Sequence, residues 1–192
     1  MSRVASQAMI LTAGFKNHPS SNPSPLIKSL HGMTLSSVSS LSVYPSPLLS
    51  FNLHLPSYTS KTLNENNGYV AIHLLTSSRE SSRLGRIFAS GIKRSVSTNE
   101  DEDGEPFHEM ATPFKNLQPS EWEMINFEDY QIPILKESEC IFVCKKRKVL
   151  EIDNHEIWVV NVLDIIENQE QKTGGLVYFN RSFHKVGETL DE

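Results

Sequence analysis

The chain has 192 residues, 38% of them hydrophobic and 21% charged, enough for one substantial buried core. A formal net charge of -5 gives no general attraction for nucleic acid, and no run approaches the roughly 18 apolar residues of a membrane-spanning helix. The two cysteines, Cys140 and Cys144, lie four apart in an apparent strand. At that spacing they stand roughly 13 Å apart, beyond the roughly 7 Å a disulfide tolerates, so reduced thiols in an intracellular compartment are expected.

No acidic residue precedes Glu65, while Arg3, Lys16 and Lys28 stand among many serines. That is the composition of a mitochondrial transit peptide, yet residues 4–14 also read as a first strand. Residues 17–25 carry Ser/Pro/Asn turn chemistry. Next comes a hydroxyl-rich, acid-free stretch over 31–59, HGMTLSSVSSLSVYPSPLLSFNLHLPSYT. Met33 and Leu35 keep one phase, Val38 breaks it, and Leu41 and Val43 restore it, which predicts a bulge or turn over 36–40. Leu49, Phe51, Leu53 and Leu55 then alternate with Ser50, Asn52 and His54, predicting a half-buried strand over 48–55. A short helix is expected over 60–66 with Gly68 as its terminator. A strand follows over 69–75, then a second helix over 81–89 with Leu84, Ile87 and Phe88 on one face. Residues 98–109, TNEDEDGEPFHE, read as a solvated acidic loop. Strands over 139–143, 155–166 and 175–179 complete the expected β content. Within them WVVNVLDII is too continuously apolar for an exposed strand and is expected in the core.

Motifs of several chemistries are missing. The seven histidines are scattered without a partner at metal-ligand spacing, so no metal site is expected. There is no G-x-S-x-G elbow for a serine hydrolase and no G-x-G-x-x-G for a dinucleotide-binding Rossmann unit. Lys145, Lys146, Arg147 and Lys148 read as the solvated tip of a hairpin. The hydroxyls after Gly32 admit two readings: an exposed strand face with turn caps, or partners for a ligand carrying both a phosphate and a polar ring edge.

The 31–59 stretch resembles the opening half of the flavin reductase-like family, the FMN-binding split-barrel oxidoreductases. The resemblance runs through Gly32, Thr34, Ser36, Ser37, Ser39, Ser40, Ser42, Pro45 and Pro47, with Ser46 separating the prolines. GYVAIHLLTSS (68–78) is similar to the strand that follows the family's first helix, and RLGRIFAS (83–90) to its R-x-F-A helix. IPILKESECIFVCKKRKVLEIDNHEIWVVNVLDI and GLVYFNRSFHKVG resemble the family's second half and closing strand. The family's pattern also opens on a strand, which favours that reading of residues 4–14.

The resemblance implies a mainly β, Greek-key split β-barrel with a few short α-helices, spanning residues 3–187 and assembled as a homodimer. It implies bound FMN, with FAD or riboflavin as alternatives, and NADH or NADPH as hydride donor. Carried over residue by residue, Thr34, Ser36, Ser37 and Ser39 face the isoalloxazine and ribityl, joined by Asn52 if it shares the phase of Ser50 and His54. Ser57, Thr59 and Lys61 meet the phosphate, with Arg86 approaching from the second helix. Arg181, Phe183 and His184 lie on the nicotinamide side, where His184 is the one candidate catalytic side chain. Hydride transfer asks the protein for contact geometry rather than a strong acid or base. The implied activity is an NAD(P)H-dependent flavin reductase, supplying reduced flavin to solution or to a monooxygenase partner. The alternative is a split-barrel flavin-binding module with little or no reductase activity. Neither nucleic acid nor membrane is an expected partner, and a cytoplasmic location is expected, with mitochondria as the alternative.

Overall fold

A computed structural model describes residues 3–16, 27–89, 112–170 and 172–188. The predicted acidic loop over 98–109 and the turn over 17–25 lie outside the described residues. The strands are β1 (Ser6–Ala13), β2 (Phe15–Lys16), β3 (Gly32–Leu35), β4 (Ser39–Ser42), β5 (Leu48–His54), β6 (Tyr69–Leu75), β7 (Trp122–Phe127), β8 (Tyr130–Leu135), β9 (Ser138–Ile152), β10 (His155–Glu167), β11 (Leu176–Phe179) and β12 (Ser182–Lys185). Helix α1 (Tyr58–Glu65) follows β5, and α2 (Arg79–Ala89) follows β6.

One curled antiparallel sheet runs β12-β11-β1-β6-β9-β10-β5-β4, with β3 paired to β1 off that path. The split originates in β1. Its Ser6, Gln7 and Ala8 pair with β11, whereas Met9 to Thr12 pair with β3 on the same edge, and β6 occupies the other. A second small sheet, β2-β8-β7, covers part of the outside.

Side-chain parity explains why this central ribbon is apolar on both faces. Met9, Leu11 and Ala13 of β1 join Val70 and Ile72 of β6, Phe51, Leu53, Trp158 and Val160 in the barrel interior. Ala8 and Ile10 point the other way and pack with Leu84 and Phe88 of α2, Phe114 and Leu135. Tyr69 and Ala71 leave β6 on its outer face for Tyr130, Ile132 and Ile134 of the small sheet. A strand with two buried faces reads as a near-continuous hydrophobic run, as β6 does apart from the buried His73.

The bend expected around 36–40 separates β3 from β4, and the β4–β5 register slips again between Ser40 and Ser42. Other expectations need correction. The run Lys145–Lys148 is not a hairpin tip, because β9 continues to Ile152 and the turn falls at Asp153 and Asn154. Three of those cations find partners across the sheet instead. Lys145 Nζ donates to Tyr69 Oη at 2.7 Å, Lys146 lies 5.8 Å over the Trp158 ring, and Arg147 reaches Asn161 Oδ1 at 3.3 Å. Only part of WVVNVLDII is core. Trp158 and Val160 are buried, but after a register shift between Val162 and Asp164 both Leu163 and Ile165 are exposed. Helix α1 begins at Tyr58 rather than residue 60, because Ser57 supplies its cap. Its end follows expectation: Gly68, at φ +66, donates its N–H to Leu63 O at 2.7 Å.

Candidate functional site

Strand β3 packs on α2, and the residue before it reaches α1. Just before it, the ring of His31 stacks on Tyr58 in the first turn of α1, centroids 6.0 Å apart. Burial holds the His31 imidazole below its ordinary pKa. Within β3, Thr34 Oγ1 donates to the Gly85 carbonyl of α2 at 2.7 Å. Glycine at 85 lets the far side close tightly: a Cβ there would stand 2.9 Å from Cζ of Phe183 in β12, and that ring would have to shift.

Past β3 the chain bends, and Ser37 Oγ accepts the Asn52 N–H of β5 at 3.0 Å. Ser36 is exposed, and so is Ser39, whose hydroxyl makes only a 3.5 Å contact with the Ser40 carbonyl. Asn52 is exposed in phase with His54, opposite the buried Phe51 and Leu53, so its side chain keeps the phase expected of it.

At the start of α1 the Ser57 hydroxyl accepts the Ser60 N–H at 3.1 Å, and the Ser57 carbonyl accepts the Lys61 N–H at 3.0 Å. This is an N-cap, the job for which serine is suited. Thr59, in the same turn, is wholly buried, and its Oγ1 has no hydrogen-bond partner. It is the only buried side-chain polar atom left so among the described residues. Such an orphan costs about 1–3 kcal/mol and calls for a missing partner. Lys61 is exposed, 3.9 Å from Glu65. A capped first turn with a buried hydroxyl donor and a nearby ammonium suits an anionic oxygen, so these residues fit the phosphate end of a flavin nucleotide.

The remaining sequence-predicted residues gather elsewhere. The Arg86 guanidinium lies 6.0 Å over the Phe183 ring, and Phe183 meets Tyr178 edge-on at 5.5 Å. Arg181 occupies the β11–β12 turn at φ +62, and His184 Nε2 donates to the Phe179 carbonyl at 3.1 Å. Thus Ser36, Ser37, Ser39, Asn52, Ser57, Thr59 and Lys61 are strung along the bend after β3, along β5 and into the β5–α1 connection. Arg86 and Phe183 meet over α2, to which Thr34 is also bonded, while Arg181 lies in the β11–β12 turn and His184 bonds back to Phe179. Among the described residues no three His, Cys, Asp or Glu side chains converge as metal ligands.

Several structurally prominent polar residues escaped the sequence patterns. Glu156 is buried on β10, and one of its oxygens, Oε2, accepts both Ser60 Oγ at 2.5 Å and Trp158 Nε1 at 2.8 Å. Its phase with Trp158 and Val160 was the available signal. His73 is wholly buried: Nδ1 donates to Ile10 O at 2.9 Å, and Nε2 accepts the Leu135 N–H at 3.1 Å. Desolvation lowers its pKa to about 4, against a smaller opposing pull from the Ile10 carbonyl. His54 and His155 pair across β5 and β10 with ring centroids 4.9 Å apart.

A curled antiparallel sheet split at β1, carrying a hydroxyl-rich bend beside a capped helix turn, defines a split-barrel fold. Its family is more specific than that. The profile described as Flavin reductase like domain matches residues 1–187, and the chain belongs to that family, whose enzymes reduce flavin. Solved structures agree on the fold. A flavin reductase domain protein from Arthrobacter superposes with a TM-score of 0.66 at 22% identity, covering 100% of this chain and 93% of its own. Flavin reductase HpaC, in complex with NADP+, gives 0.64 at 22%, covering 97% and 93%. The styrene monooxygenase flavin reductase of Pseudomonas putida gives 0.62 at 16%, covering 98% and 96%.

Proposed function

We propose that this flavin reductase takes FMN, with the phosphate held at the first turn of α1 and the ring and ribityl along the bend after β3. The buried, unpartnered Thr59 Oγ1 carries the proposal, since a phosphate oxygen would accept from it and remove the orphan. Ser57 keeps the turn formed, and Lys61 adds charge from the next position along the helix. Ser36 and Ser37, with Asn52 beside them, offer hydroxyl and amide partners to the ribityl and ring edge, and Thr34 orients β3 through its bond to α2. A bound flavin supplies the hydride acceptor, and NADH or NADPH the hydride. The protein need only hold the two in contact and keep water out. Arg181, Phe183 and His184 form the nicotinamide side.

The same proposal includes a homodimer of domains spanning residues 3–187, and a monooxygenase or halogenase as consumer of reduced flavin. Exposed apolar residues on and beside the β4–β5 hairpin, Leu41, Val43 and Tyr44, with Leu163 and Ile165 of β10, support self-association. A light-scattering mass near 21.7 kDa with flavin bound would remove the dimer from the proposal. The styrene monooxygenase reductase and a halogenase's flavin reductase component share the fold and suggest the consumer.

Titration of the purified protein with FMN and with riboflavin, which lacks the phosphate, tests the site. Ser57→Ala with Thr59→Ala is expected to weaken FMN about tenfold to a hundredfold and riboflavin far less. Equal weakening would place the phosphate elsewhere. Anaerobic addition of NADH or NADPH should bleach the flavin; no bleaching with either donor would favour a binding module over a reductase.

A further inference from the structure

We propose that Glu156 is a positioning residue for flavin binding: from the barrel wall it fixes the first turn of α1 and so holds Thr59 for the phosphate. This rests on the assignment of that turn to the phosphate. Glu156 stands on β10 in phase with Trp158 and Val160, a carboxyl group facing the apolar barrel interior. Among the described residues no Lys, Arg or His lies within ion-pair distance of it. Burying an unpaired carboxylate is costly, and an apolar side chain at this position would fill the wall without that cost.

The polar links of Glu156 show what it holds. Its Oε2 takes the Trp158 indole N–H from the core on one side and the Ser60 hydroxyl from α1 on the other. Trp158 is itself immobilised, wholly buried and stacked on Phe51 with 7° between the rings. Ser60 is the third residue of α1, adjacent to Thr59, and its N–H goes back to Ser57 Oγ. A continuous chain of Trp158, Glu156, Ser60 and Ser57 therefore ties the helix cap to the rigid wall. Glu156 accepts from a hydroxyl rather than from a helix amide, so it anchors the turn without taking a first-turn N–H that an anion would use.

The experiment measures FMN and riboflavin affinity on the full chain for Glu156→Ala, Glu156→Gln, Ser60→Ala and Thr59→Ala, with melting temperature alongside. Glu156→Ala should lose about tenfold in FMN affinity and less than about threefold for riboflavin. Glu156→Gln should return FMN affinity to within about threefold of the unmodified protein, because one amide oxygen can accept both donors as Oε2 does. Ser60→Ala cuts the same link from the helix side and should reproduce the alanine result even if Glu156→Ala fails to fold. Parallel loss for both flavins, or a fall in melting temperature with both affinities unchanged, would overturn the positioning role. Thr59→Ala separates the two failures. If it discriminates FMN from riboflavin and the Glu156 and Ser60 variants do not, the positioning role falls and the phosphate site stands. If Thr59→Ala does not discriminate, both fall together.

Discussion

The two regions flanking β3 contain similar residue types and use them differently. On the α2 side polar and aromatic groups are spent on packing. Thr34 bonds Gly85, Phe183 fills the space that Gly85 leaves, Arg86 covers Phe183, and His184 bonds the Phe179 carbonyl. On the α1 side Ser36, Ser39 and Asn52 are exposed, and the wholly buried Thr59 hydroxyl has no partner. A satisfied polar group stabilises the fold, while an unsatisfied buried one costs stability until something binds it. The flavin phosphate is therefore to be sought on the α1 side, and substitutions should separate the two regions.

The largest effect is expected on the packed side, from His73. An unfolded histidine titrates near 6.5, whereas the folded ring titrates at about 4. Between those values the unfolded chain binds a proton that the folded chain refuses, so this contribution is complete above pH 6.5 and lost as pH falls toward 4. The loss amounts to about 3 kcal/mol. Urea midpoints at pH 7.5, 5.5 and 4 for the parent and His73→Gln should show a steeper acid loss in the parent. Identical slopes would mean that the ring is protonated or solvated in the fold.

Phe183→Ala comes next. The ring is half-buried on Gly85, so its removal should cost about 2 kcal/mol, below the range for wholly buried aromatics. A nicotinamide role adds a raised KM for NADH or NADPH with FMN affinity unchanged. A changed FMN affinity would merge the two regions into one site, and unchanged stability would mean that the ring is not seated.

The sequence made the strand with clean alternation legible, β5 at Leu48–His54 against the expected 48–55, and also the apolar run of β6, which falls on the residues expected, 69–75. Strands whose pattern mixes signals were not. Pro133 stands inside β8, and β9 carries four consecutive cations that imitate a loop, three of which, Lys145, Lys146 and Arg147, turn out to have cross-sheet partners. The hydroxyl-rich bend was readable because phase slips leave a local trace. Thr59 could be named by resemblance, but its orphaned state depends on residues distant in the chain. Glu156 was hidden because the sequence does not say that its two donors, Ser60 and Trp158, converge on one oxygen.

Thr59→Val should move stability and binding in opposite directions. The valine nearly preserves shape while removing a buried unsatisfied hydroxyl, so the flavin-free protein should gain about 1 kcal/mol. FMN should weaken about tenfold, with riboflavin little changed. Destabilisation instead would mean that the hydroxyl is already satisfied, and the contrast between the two sides of β3 would lose its main support.

Lys61 should give the smallest effect and define the edge of the site. Among the described residues its one ion pair is an exposed contact of 3.9 Å with Glu65, four residues along α1. Such pairs are worth no more than a few tenths of a kcal/mol, so Lys61→Ala should leave the melting temperature within error. Toward a phosphate dianion the ammonium acts through solvent, and salt screens it with a length of about 10 Å at 0.1 M. Lys61→Ala should then weaken FMN by about threefold at low salt, a difference that shrinks as salt approaches 1 M, while riboflavin binding stays unchanged throughout. A loss that persists at high salt would make Lys61 a direct, desolvated phosphate ligand. No loss at any salt would confine the anion to Ser57, Thr59 and the amides of the first turn.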